Sequence, residues 1–146
     1  MSIGVNELFE MLNWNNDEET QQKGIDEGKK IKYLSILMQP VEDKGTWENC
    51  AKIISEKSDK TLKPYINLLL EWLQDANWPG YNIIYDRIKS MPIELIISDF
   101  KNSLKKAVRQ ENITWIWWLG ELSKDTGIYN KLTEKERSII DKAYEE

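Results

Sequence analysis

The chain has 146 residues, 40% hydrophobic and 31% charged, enough to bury a core without disulfide or metal staples, and it predicts a single domain over 1–146. Its net charge of −5 gives no electrostatic footprint for nucleic acid, which is bound by neutralising phosphates. It contains no histidine and one cysteine, which removes the commonest general base and metal ligand, every Ser-His or Cys-His nucleophile and any intramolecular disulfide.

The start, Met1-Ser2-Ile3-Gly4-Val5-Asn6-Glu7, has neither a basic n-region nor a long apolar run, so no signal peptide is expected. A short first helix is predicted near Val5 to Leu12. Asn16 or Asp17 caps a second, with Asp17, Glu18 and Glu19 in its first turn, where the helix dipole favours negative charge. This helix is expected to carry Ile31, Leu34 and Met38 and to stop before Pro40. Gly24 and Gly28 weaken it by roughly 1 kcal/mol each relative to alanine, and their spacing on one face points to close contact with a neighbour.

Thr46 is predicted to cap a third helix with Trp47, Cys50, Ala51 and Ile54 on one stripe. Pro64 is tolerated only in a first turn, which places the fourth start near Leu62. Tyr65, Ile66, Leu68, Leu69, Leu70, Trp72 and Leu73 cover nearly all its sides, so this helix lies between neighbours. The fifth opens at Asn77-Trp78-Pro79, with Asn77 its cap and Pro79 in its first turn. Tyr81, Ile84, Tyr85, Ile88 and Met91 follow at helical spacing. Pro92 starts the sixth, with the stripe Ile93, Ile96, Ile97, Phe100, Leu104, Ala107 and Val108. Asn112 caps the seventh, bearing Trp115, Trp118, Leu119 and Leu122. After a turn at Asp125-Thr126-Gly127, Thr133 and Glu136 form a capping box for the last helix, which buries Ile139, Ile140 and Ala143.

No segment sustains a period of two, and no run approaches the roughly 20 apolar residues of a membrane span. The expectation is an all-α, cytoplasmic protein of eight helices in about four antiparallel pairs. Tryptophan recurs at positions 14, 47, 78 and 115, intervals of 33, 31 and 37 residues. That recurrence favours stacked pairs over a compact eight-helix globule.

The segment Glu71-Trp72-Leu73-Gln74-Asp75-Ala76-Asn77-Trp78-Pro79-Gly80, with Trp47-Glu48-Asn49-Cys50-Ala51-Lys52-Ile53-Ile54 upstream, carries a resemblance. It is similar to a small bacterial family of HEAT-like repeat proteins of unknown function that share a segment reading approximately LLEWLQD-NWP. The likeness runs from about Trp47 to Met91. It implies an α–α superhelix and an interaction module, of a kind discussed alongside toxin-immunity proteins. It brings no activity, cofactor, metal or catalytic residue.

Asp75, Asn77 and Trp78 read as parts of a structural turn. Asp75 is expected to accept from turn N–H groups, and Trp78 to pack over the preceding helix end. Residues 1–28 hold seven acids against Lys23, and an acidic end steers a basic partner. Asp17, Glu18 and Glu19 are its candidate contact residues. Trp117 points away from the stripe of Trp115 and Trp118. It is either core between helix pairs or an exposed anchor, since tryptophan is enriched in binding hot spots. Lys101, Lys105 and Arg109 share one face of the sixth helix, beside Lys106. They are either its solvated back or a phosphate-tracking stripe. The leading expectation is a non-enzymatic module that binds a protein, in one version as an immunity-type inhibitor of a basic toxin. The alternative is a HEAT-like protein acting on nucleic acid, glycosylase-like, through the basic stripe.

Overall fold

The computed structural model describes residues 4–40 and 43–145. Met1, Ser2 and Ile3 of the start segment lie outside the described residues. Among those described there is no strand, and the chain is all helical as the periodicity predicts. No helix among them is long and apolar enough to cross a membrane.

Helix α1 (Val5–Leu12) packs on α2 (Glu18–Gly28), which is capped by Asp17: its carboxylate accepts from the Thr20 N–H at 2.8 Å. The second helix does not run on toward Pro40. It stops at Gly28, and a short 3₁₀ turn (Leu34–Leu37) carries Leu34 and Leu37 into the core instead. The glycines explain both the contact and the stop. A Cβ on Gly24 would lie 3.0 Å from Met11 Cβ, and one on Gly28 would collide with Ile53 Cδ1. Both positions therefore let neighbouring helices approach, while lowering the propensity to continue.

Helix α3 (Trp47–Ser55) begins after Thr46, but Thr46 is not a side-chain cap. Its hydroxyl donates back to the Asp43 carbonyl at 2.7 Å, because Lys44–Thr46 already form a 3₁₀ turn that satisfies the entry. Helix α4 (Asp59–Leu62) starts three residues before the position expected from Pro64. Ser58 is its cap, with Oγ accepting from the Thr61 N–H. Pro64 falls in a following 3₁₀ turn (Lys63–Tyr65), which leads into α5 (Ile66–Glu71). The central character of this stretch holds: Ile66, Leu69, Leu70, Trp72 and Leu73 are all fully buried.

A 3₁₀ turn (Trp72–Gln74) then enters the family-like segment. Asp75 Oδ1 accepts from the Asn77 N–H at 2.8 Å, as expected. Asn77 is not a helix cap and Pro79 is not in a first turn. Helix α6 (Tyr81–Lys89) begins only after Gly80, whose φ of +82° is the left-handed conformation that glycine adopts without strain. The turn is clamped from within. The Trp72 indole N–H donates to the Pro79 carbonyl at 2.9 Å, and Trp47 meets both Trp72 and Trp78 edge-on at 5.7 and 5.3 Å.

Helix α7 (Ile93–Arg109), α8 (Ile113–Thr126) and α9 (Glu134–Ala143) complete the fold, α8 packing on both others. Asn112 caps α8 and accepts from the Trp115 N–H, and the Thr133–Glu136 capping box is present, both as predicted. The Trp115 indole N–H donates to Leu70 O, tying α8 to α5. Cys50 is buried.

Candidate functional site

The basic stripe acquires a second wall in the fold. Lys101, Leu104, Lys105, Val108 and Arg109 of α7 face Thr133, Lys135, Glu136 and Ile139 at the start of α9, across a cavity of about 470 Å³. Val108, left 41% exposed, and the part-buried Ile139 supply an apolar surface above Leu104, which itself belongs to the core. Of the predicted stripe, Ile96, Phe100, Leu104 and Ala107 are buried and Ile93 and Ile97 partly so, while Val108 at its end is exposed.

The charges around this floor are unequal. Glu136 is committed: it accepts from the Thr133 backbone N–H at 2.8 Å and pairs with Lys101 at 3.5 Å. Burial raises its carboxyl, but the Thr133 bonds and the Lys101 ammonium outweigh this and hold it below the usual carboxylate range. Among the described residues, Lys105, Arg109 and Lys135 have no acidic partner within 4 Å. The result is an apolar trough with unpaired cations on both rims. The first turn of α9 adds its own partial positive charge.

Lys106 belongs elsewhere. Its ammonium pairs with the Glu71 carboxylate in a polar cleft that Asn67, Asp99 and Asn102 also line, where burial raises the Asp99 carboxyl. Trp117 is half-buried. Its ring meets Trp118 edge-on at 4.7 Å and Tyr144 at 5.4 Å, while Ile113, Thr114 and Ala143 share a further cleft with it. Ala143 stands one helical turn beyond Ile139, so both clefts open along one face of α9.

The acidic end lies apart. Asp17 is occupied as a cap, and its carboxyl is lowered chiefly by the Thr20 backbone N–H. Glu19 pairs with Lys23 at 3.5 Å, and Glu18 is exposed. Trp78 is half-buried beside Trp47, with the Lys44 ammonium 5.7 Å from its ring centre.

Sequence reasoning missed a tyrosine–carboxylate cluster. Tyr85 donates to Asp125 and Tyr144 to Glu121, and Tyr81 buries a hydroxyl with no hydrogen-bond partner among the described residues. Burial first, and the two carboxylates after it, push all three phenols well above their usual range. They remain protonated donors at neutral pH and offer no base. Among the described residues, no group of three or more Cys, Asp or Glu is placed to hold a metal ion.

The sequence matches a domain of unknown function (DUF5071) over residues 41–143. The match covers the tryptophan-clamped turn, the groove and Trp117, and leaves out Asp17, Glu18 and Glu19. No curated protein and no solved structure matches the chain.

Proposed function

The chain belongs to the DUF5071 family, whose function is unknown, and we propose that it is a non-enzymatic helical module that binds another protein, docking it in the α7–α9 groove. One observation carries this reading: three unpaired cations stand over an apolar floor that includes a 41% exposed valine. An apolar surface rimmed by polar groups has the anatomy of a protein interface. Without histidine, the chain lacks the commonest general base, and Asp125 and Glu121 are engaged by tyrosines. The packing of α8 on both α7 and α9 suits the HEAT-like stacking that the resemblance implies, and a lone buried thiol suits a reducing cytoplasm.

The test is capture from native lysate by the full chain and by a Lys105→Glu, Arg109→Glu variant of unchanged helicity. A specific partner held by the first and lost by the second is expected; equal capture would refute the groove. The immunity-type version draws on the exposed Glu18 and its neighbours. It requires that the captured protein be a basic toxin, and that neutralising Asp17, Glu18 and Glu19 slow its association. Nucleic acid is the alternative class, and capture that a nuclease abolishes would favour it.

A further inference from the structure

We infer that the groove receives an acidic amphipathic helix of two to three turns, laid along α9. This rests on the reading of the groove as a protein-docking surface and specifies what fills it.

Charge complementarity selects the sign. Lys105 and Arg109 on one rim and Lys135 on the other are unpaired, whereas Glu136, the acid lining the cavity, is consumed by Thr133 and Lys101. A carboxylate arriving on either edge meets a cation with no competing partner, and such charge-assisted contacts are the stronger hydrogen bonds.

The apolar surface selects the shape. Leu104, Val108 and Ile139 form a strip flanked by charge on both sides. A helix presents the matching pattern, with apolar residues three and four apart and acids on the flanks. Length follows from the helical rise of about 1.5 Å per residue. The stripe from Lys101 to Arg109 and the α9 face from Lys135 to Ala143 each extend about 12 Å on that rise. That accommodates about eight residues, or roughly two turns, and a third turn would extend past Ala143 toward Trp117.

A single nucleic-acid strand is the poorer occupant. Among the described residues no aromatic ring lines this cavity, so the stacking that holds bases in such grooves is confined to Trp117 beyond its end.

The experiment uses the full chain and four fluorescent probes of matched length. They are a helical peptide with leucines at three–four spacing and flanking glutamates, a permuted peptide of the same composition, a lysine-for-glutamate version, and single-stranded DNA. Fluorescence anisotropy should show saturable binding of the patterned acidic peptide alone, weakening as salt rises. Lys105→Glu with Arg109→Glu should weaken it by roughly tenfold or more. Val108→Asp, at a position already exposed, should weaken it without loss of helicity. Equal binding of the permuted peptide, preference for DNA, or indifference to these substitutions would each overturn the inference. A concentration-dependent dimer dispersed by the same substitutions would overturn it in favour of a second copy of the chain. If lysate capture depends on Lys105 and Arg109 while no acidic peptide binds, the docking reading stands and this inference falls.

Discussion

Replacing Trp72 by alanine tests the hub of the fold. The side chain is fully buried, packs edge-on against Trp47 at 5.7 Å, and donates its indole N–H to the Pro79 carbonyl at 2.9 Å. Truncating a buried tryptophan costs about 3–5 kcal/mol through lost burial and the cavity left behind. The Pro79 carbonyl also loses its donor, which adds about 1–3 kcal/mol where water does not replace it. Set against a typical domain stability of about 5–15 kcal/mol, this removes a large fraction or all of it. Urea unfolding followed by circular dichroism is the assay, because seven tryptophans confuse a fluorescence signal. With a slope of about 2 kcal/mol per molar urea, the midpoint should fall by about 2–4 M, or the variant should be unfolded without denaturant. Trp72→Phe keeps most of the volume and loses the N–H, so it should fall between the two. A Trp72→Ala midpoint within about 0.5 M of the wild type, on the same slope, would refute the argument.

Glu111 holds φ at +53° at the end of α7, a conformation that costs a non-glycine residue about 1 kcal/mol, so Glu111→Gly should raise the urea midpoint; a lowered midpoint would mean that its side chain stabilises the turn. Asp17 has its pKa lowered in the folded state, so its contribution is complete above the unfolded value near 3.8 and is lost as pH falls through the folded value. Asp17→Ser keeps a cap oxygen that does not titrate, and should flatten the fall in stability below about pH 4; a pH profile superimposable on the wild type would remove this account. Trp117→Ala should lower stability by roughly 1–3 kcal/mol, below the cost of a fully buried tryptophan because the ring is only partly buried. It should also weaken the acidic helical peptide in the anisotropy assay. Unchanged peptide affinity would confine Trp117 to packing against Trp118 and Tyr144.

The sequence was most legible where chemistry is local. Asp17, Asn112 and the Thr133–Glu136 box are cap residues whose oxygens reach N–H groups two or three positions on, and each caps the helix expected of it. It misled where a tertiary contact decided. Pro64 suggested a helix start, yet Ser58 caps one turn earlier and the proline is absorbed in a 3₁₀ segment. Gly28 read as a weak point inside a long helix, but the approach of Ile53 makes it the end. Asn77 looked like a cap before Pro79, whereas the left-handed Gly80 resets the chain and delays α6. The groove was half legible. Four-residue spacing puts Lys101, Lys105 and Arg109 on one face, but nothing local says that α9 will bring Lys135 and Ile139 opposite them.

A series of close contacts runs from the tryptophan-clamped turn to the groove. Gly80, fixed against Ala51 and Trp72, sets where α6 begins. Tyr81, the first residue of α6, meets Trp118 at 5.2 Å and so positions α8. On the far side of α8, Gly120 lets α9 approach so closely that an added Cβ would lie 2.8 Å from Ile140 Cγ2. Ile140 is the neighbour of Ile139, which lines the groove. Packed interiors transmit displacement because they have few voids to absorb it. A continuous run of packed contacts thus leads from the turn to the α9 wall of the groove.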